Sequence, residues 1–305
     1  MNHILVSGLI NLETTLCVDA FPIAYFPVRY PFGGVHSTVS GVGYNVAKAL
    51  TTLGDTVHLA SIIGRGPVAQ LVCETLAQDG IPGAFIVRGM ERTAQSVILY
   101  DGSGRRQINV DLKDIQEQTY PRALFQQALG ACSLAALCNI NFSRPFLAQA
   151  RQAGKLVATD VHAISHLEDE YNRDFMGAAD VLFMSDECLP CPPQEWIKAV
   201  LGRYGNEIIV IGLGAQGALL SVKSDGFVQQ IPAAWTREVV NTIGAGDALF
   251  SAFVHFYNQT RNPYQAIKKA TVFASYKIGE TGAAAGFVDE ARLNALCAQI
   301  EGGML

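Results

Sequence analysis

Short apolar, β-branched runs recur along the chain at Ile4–Ser7, Val57–Ile63, Leu134–Cys138, Leu156–Asp160, Val181–Met184 and Ile208–Ile211. They are nearly continuous rather than alternating, the pattern of strands covered on both faces in a parallel sheet. Helical patterns lie between them. Pro67 opens a segment with Val68, Leu71, Val72, Thr75 and Leu76 at core spacing. Ser143-Arg144-Pro145 and Asn262-Pro263 each set a capping residue close before a proline in the first helical turn. The alternation predicts an α/β fold with a doubly wound, mostly parallel sheet and helices on both faces.

Two stretches break this rhythm. Glu13–Ser40 is rich in proline and aromatic residues and has no helical period. Thr93–Asp111 reads as two extended runs, Ser96–Tyr100 and Gln107–Val110, joined by the turn Asp101-Gly102-Ser103-Gly104. Both leave the core and return to it. They predict a small β-sheet lid (residues 13–40 and 93–111) over the strand ends of a core made from residues 1–12, 41–92 and 112–305. Strand ends are where α/β proteins bind ligands. Long surface hairpins without a role fit the same pattern.

Of the 305 residues, 50% are hydrophobic, enough for a large buried core. A net charge of -5 argues against general binding to nucleic acid or an anionic membrane. No apolar stretch approaches the roughly 20 residues that span a bilayer, and the N-terminus lacks a basic leader pattern. A cytoplasmic protein is expected. The seven cysteines are odd in number and scattered, and Cys188 and Cys191 form an isolated Cys-x-x-Cys, so free thiols are expected rather than zinc or a redox pair. Asp160, His162 and His166 have a permissive metal spacing, but an aspartate ending a strand before a polar loop is ordinary in this architecture.

The most informative segment is Asn241-Thr242-Ile243-Gly244-Ala245-Gly246-Asp247-Ala248-Leu249-Phe250. Leu249, Phe253 and Phe256 fall on one helical face and Phe250, Val254 and Tyr257 on another, which predicts a buried helix. Gly244, Ala245 and Gly246 then form a side-chain-poor turn at its N-terminus, where free N–H groups and the helix dipole make an anion site. Asp247 beside that site would repel a phosphate that was merely bound. A carboxylate there makes sense if it handles a hydroxyl that attacks the phosphate. A simple dipole-stabilising aspartate remains open on these residues alone.

This segment resembles the C-terminal signature of the ribokinase-like (phosphofructokinase-B type) carbohydrate kinase family, Asp-Thr-x-Gly-Ala-Gly-Asp-x-Phe. Gly41-Val42-Gly43-Tyr44-Asn45-Val46-Ala47-Lys48-Ala49-Leu50, followed by Leu53-Gly54, resembles its N-terminal signature. The resemblance implies a kinase that transfers phosphate from ATP·Mg²⁺ to a hydroxymethyl group of a sugar or related small molecule. A nucleoside acceptor, or a non-catalytic metabolite sensor, is the alternative. By this resemblance Asp247 is the base, with Gly244, Ala245 and Gly246 around the γ-phosphate. Gly41 is a hinge under the lid, and Asn45 meets substrate hydroxyls with Asn11 and Glu13 from the first strand and turn. Arg106 on the lid return and Asn139 after a core strand lie where substrate is met. Gly212, Gly214 and Gly217 form a glycine-rich turn near ATP with Thr242, and Gly282 and Ala283, in the segment Lys277-Ile278-Gly279-Glu280-Thr281-Gly282-Ala283, line the adenine pocket and a nearby cation site. Gly212–Gly217 also fits Gly-x-Gly-x-x-Gly, but a dinucleotide site needs a helix there, and Ala218–Val222, Ser224-Asp225-Gly226 and Phe227–Ile231 read as a hairpin.

Three positions depart from the family pattern. Asn241 stands where an aspartate usually serves a monovalent cation, which leaves the need for that ion undecided. Glu13 replaces the usual substrate-binding aspartate. Ser185 and Cys188 stand in the Asn-x-x-Glu motif that organises magnesium, so Asp186 or Glu187 is expected to serve the metal. An exposed lid edge allows a homodimer.

Overall fold

The computed structural model describes residues 3–303. The elements of the main and small sheets are interleaved in chain order. They are β1 (His3–Ser7), β2 (Asn11–Cys17), β3 (Val35–Ser40), α1 (Val42–Thr52), β4 (Thr56–Ile63), α2 (Pro67–Gln78), β5 (Ile86–Arg88), β6 (Gln95–Tyr100) and β7 (Arg106–Asp111). There follow α3 (Arg122–Gly130), β8 (Leu134–Leu137), α4 (Arg144–Gln152), β9 (Leu156–Ala163), α5 (Arg173–Ala178), β10 (Val181–Ser185) and α6 (Pro193–Tyr204). The chain ends with β11 (Ile208–Gly212), β12 (Ala218–Val222), β13 (Phe227–Ile231), α7 (Ala245–Thr260), α8 (Pro263–Lys277) and α9 (Glu290–Glu301).

Among the described residues the main sheet has the order β13-β12-β11-β10-β9-β8-β1-β4-β5. It is parallel from β11 to β5, and the β12–β13 hairpin adds two antiparallel strands at one edge. The hairpin where a dinucleotide fold needs a helix confirms the reading of Ala218–Ile231 and removes the dinucleotide alternative. Apolar residues of each strand alternate between two cores, Ile4 and Val6 facing α1, α2, α7, α8 and α9, and Leu5 facing α3, α4, α5 and α6. The chain leaves β1 toward β4 on one side and later reaches β8 on the other. The topological switch therefore lies at the carboxyl end of β1, where such sheets open a crevice.

A second, four-stranded sheet has the order β3-β2-β6-β7. β2 pairs antiparallel with β3 and parallel with β6, and β6 with β7 antiparallel. Its buried face docks on the core through Ile98, packed with Ile243 and Ala283.

Two local readings differ from the structure. In α2, Val72 and Leu76 are buried but Leu71 is 43% exposed, and Ala69 takes its place in the core. The spacing 69, 72, 76 defines the narrow stripe that faces the sheet, and Leu71 lies one residue off it. Ser143 does not cap α4 with its side chain. A 3-10 turn, Asn141–Ser143, runs straight into the helix, so Ser143 is already helical and its hydroxyl instead bonds the Ser7 hydroxyl at 2.7 Å. Asn262 does cap α8, accepting from the N–H groups of Tyr264 and Gln265 at 3.1 Å. Among the described residues no helix is long and apolar enough to cross a membrane.

Candidate active site

Helix α7 begins where Gly244 takes a left-handed conformation, φ 75°. A Cβ at that position would overlap the Ala283 carbonyl and come within 2.8 Å of its Cα. Glycine thus satisfies two demands at once, the positive φ and the close approach of the 278–283 loop. Ala245 donates its N–H to Thr242 O at 3.2 Å. The N–H groups of Gly244, Gly246 and Asp247 have no protein acceptor among the described residues, and the space around Gly246 is open. Unpaired amides at the positive end of a sixteen-residue helix are of the kind that can receive an anion.

Asp247 sits on the first turn of α7 with 9% exposure. Asn45, in the first turn of α1, donates its Nδ2 to Asp247 Oδ2 at 2.7 Å. The start of α1 is fixed by Gly41, φ 101°, which lies so close to Leu9 that a Cβ would meet the Leu9 carbonyl oxygen at 2.6 Å. Gly43 and Tyr44 then donate to Leu9 O at 2.9 and 3.3 Å. Burial raises the Asp247 carboxyl to about 6 against the opposing pull of His162, the Asn45 hydrogen bond and Lys277, with Asp160 adding to the rise. Burial pushes up the thiol of Cys138, which follows β8, and the nearby carboxylates of Asp247 and Asp160 add to the rise.

Ser40, at the end of β3, shares its one hydroxyl proton between Glu13 Oε2 at 2.9 Å and Asn45 Oδ1 at 3.2 Å. Glu13 also accepts from Ala283 N at 3.4 Å, and burial raises its carboxyl above the usual range. Asn11 donates to Ser96 Oγ at 3.1 Å. Asn11, Glu13, Ser40, Asn45 and Asp247 thus form a continuous polar wall from the small sheet to α7. From β7 of the small sheet Arg106 donates to Thr242 Oγ1 at 2.8 Å and pairs with Glu187 at 3.2 Å. A cavity of about 710 Å³ opens there, lined by Phe21, Arg105, Arg106, Gln107 and Glu187.

The other sequence candidates have distinct surroundings. Gly212 ends β11, and Gly217 closes the following turn by accepting Leu213 N–H at 2.8 Å, with Gly214 exposed between them. Gly282 and Ala283 lie against the start of α7, where Gly282 O accepts from Lys277 and Ala283 N–H reaches Glu13. The Asn139 amide is tied to Asn172 Oδ1 at 3.0 Å, turned to α5 rather than to Asp247. Asp186 and Glu187 are exposed at the end of β10. Sequence reasoning missed Ser40, a serine at a strand end, and took Lys277 only as the first residue of the Lys277–Ala283 segment that resembles the lining of the adenine pocket and cation site. It noted His162 only as a metal candidate, and the signal it lacked was the residue's φ of 58°, unusual for a residue with a side chain. All seven cysteines are free.

The model of the pfkB family carbohydrate kinases matches residues 1–290. The chain belongs to that family. This carbohydrate kinase is 25% identical over 293 residues to acarbose 7(IV)-phosphotransferase of Actinoplanes sp., spanning 95% of this chain and 96% of that protein. Its structure is similar to that of a microbiome-derived acarbose kinase, with a TM-score of 0.87 at 25% identity over 97% of this chain and 99% of the other. Giardia lamblia ribokinase shares the fold, with a TM-score of 0.82 at 16% identity over 98% of this chain and 99% of the other. Family membership makes the protein a phosphotransferase and implies ATP as donor.

Proposed function

We propose that this kinase transfers the γ-phosphoryl group of ATP to a hydroxymethyl group of a sugar or related small molecule, with Asp247 as base and the amides of Gly244–Gly246 receiving the transferring phosphoryl. The observation that carries the reading is a buried carboxylate on the same helical turn as unpaired N–H groups. The amides stabilise charge on the equatorial oxygens, and the carboxylate takes the hydroxyl proton as the new P–O bond forms and the bond from the γ-phosphorus to the β,γ-bridging oxygen breaks, releasing ADP. The wall of Asn11, Glu13, Ser40 and Asn45 offers mixed donors and acceptors suited to sugar hydroxyls. The carboxylates of Asp186 and Glu187 suit Mg²⁺, which prefers oxygen donors and keeps several waters, and both are open to solvent. Bound with the nucleotide, that ion would neutralise phosphate charge, and Glu187 would exchange Arg106 for it.

The nucleoside alternative rests on aromatic residues of the lid segment. Tyr25, Phe26, Tyr30 and Phe32 are between 66% and 93% exposed, and Phe21 lines the separate cavity beside Arg106 rather than the wall around Asp247. The sugar reading is therefore favoured. ADP release from ATP and Mg²⁺ across pentoses, hexoses, sugar phosphates, acarbose and nucleosides tests it. Turnover of a sugar-class acceptor supports it, turnover of nucleosides alone replaces it, and silence with ATP binding intact points to a sensor.

The pH profile is a second test. Asp247 acts as the carboxylate, and its carboxyl is raised to about 6, so kcat/KM should fall as pH drops through about 6. The expected slope is about tenfold per pH unit below that point. A limb lying near an ordinary aspartate value would remove burial as the controlling influence.

A further inference from the structure

Lys277 closes α8, yet its side chain is 0% exposed. A lysine in the last turn of a helix ordinarily runs its stem along the surface and keeps its ammonium in water. Here Nζ is turned inward and donates to the main-chain oxygens of Ile243 and Gly282, the latter at 2.7 Å. Both acceptors are carbonyls rather than carboxylates. The charged groups facing it are Asp247 on α7, Glu13 on β2, and Arg237 and Glu280 from the flanking loops. Burial, the strongest influence, lowers the ammonium to about 8, so it carries its charge at neutral pH.

The two carbonyls lead directly into the site. In a planar trans peptide the C=O and the following N–H point in opposite directions. An ammonium that holds Ile243 O turns the Gly244 N–H away from itself, toward the side on which that N–H has no protein acceptor. Its hold on Gly282 O likewise turns the Ala283 N–H outward, and that group meets Glu13 Oε1 at 3.4 Å. A full charge on each carbonyl polarises the peptide and strengthens its N–H as a donor. One ammonium therefore fastens the 241–244 loop to the 278–283 loop and primes the amide that opens the phosphoryl site.

A dehydrated ion held by backbone carbonyls is how proteins bind K⁺, and lysine presents a compact charge of the same sign. The side-chain oxygen of Asn241, in the same loop as Ile243, already accepts Ile243 N–H at 3.1 Å.

We propose that Lys277 is a positioning residue that acts as a built-in monovalent cation, its ammonium holding the Ile243 and Gly282 carbonyls so that turnover needs no free K⁺ or NH₄⁺. The proposal rests on the phosphoryl-transfer reading of Gly244–Asp247 given above.

The test compares the wild-type enzyme, Lys277→Ala and Lys277→Met in K⁺, NH₄⁺ and tetramethylammonium chlorides at equal ionic strength. Wild-type kcat should be the same in all three salts. Each variant in tetramethylammonium should lose kcat by about 10²-fold, the scale of one oxyanion-stabilising donor, with a much smaller change in the KM for ATP. In Lys277→Ala, K⁺ or NH₄⁺ should restore kcat saturably and raise the melting temperature, while the wild-type melting temperature does not respond. Stimulation of the wild type by K⁺ would overturn the proposal, and so would a folded Lys277→Ala that ignores both ions. If neither variant folds, the wild-type salt comparison decides alone. The melting arm needs no acceptor, so it holds even if the acceptor class is misassigned. An undiminished kcat in Asp247→Asn would sink the catalytic reading without altering the cation result.

Discussion

Asp247→Asn is expected to lower kcat by about 10³- to 10⁴-fold, near the upper range for loss of a general base, while ATP affinity changes little. The substitution is close to isosteric, and the carbonyl oxygen of the new amide can still accept the 2.7 Å bond from Asn45. Only the charge and the proton acceptor are removed. The same change should stabilise the fold at neutral pH, because burial raises this carboxyl from 3.8 to about 6. A shift of that size corresponds to about 3 kcal/mol against the folded state once the group is ionised. The sign follows from linkage. A carboxyl whose folded pKa is raised favours folding while it is protonated, and that advantage is lost as pH rises from about 4 through about 6. The gain of Asp247→Asn over the wild type should therefore be full at pH 7 and vanish near pH 4. Denaturant titrations at the two pH values, with kcat measured in parallel, check both halves. A variant that is inactive and also clearly less stable at pH 7 would mean that Asp247 holds structure rather than chemistry.

Gly244→Ala is expected to have the next largest effect. A side chain there must adopt φ near 75°, for which about 1–2 kcal/mol is lost per non-glycine residue. The added Cβ also overlaps the Ala283 main chain, 2.8 Å from its Cα. The 278–283 loop must move, and with it the Gly282 carbonyl that Lys277 holds. A total destabilisation of about 2–4 kcal/mol follows, in the range of mutations that strain a special backbone position. Activity should fall by about 10²-fold or more as the amides lose their aim. Gly246→Ala is the informative control. Its Cβ would meet nothing within 4 Å, so stability should hold while the methyl intrudes on the phosphoryl position. A Gly244→Ala enzyme with normal stability would show that the loop yields easily, and that the packing against Ala283 does not set the site.

Local pattern carried a great deal of this molecule. The buried strands, the Ala218–Ile231 hairpin, the extended runs of the small sheet and the buried helix after Asp247 were legible because periodicity and turn chemistry report which face of an element is covered. The glycine turn beside Asp247 was legible for the same reason, since amides freed at a helix N-terminus follow from local geometry. Through-space partnership was a different matter. Asn45 and Asp247 are 202 positions apart and meet only because α1 and α7 pack side by side. Ser40 joins Glu13 to Asn45 only once β3 lies beside β2. Arg106 reaches Thr242 and Glu187 only because the small sheet docks on the core. Lys277 shows the limit most sharply. Its place at the end of an amphipathic helix predicts an exposed cation, and the tertiary structure instead buries its charge between two carbonyls. The sequence by itself determined the elements, the layering and the open glycine turn before Asp247, because each depends on neighbours within a few residues. Which distant groups surround that turn, and hence the pKa of Asp247 and the role of Lys277, depends on desolvation and contacts that exist only when the layers are assembled.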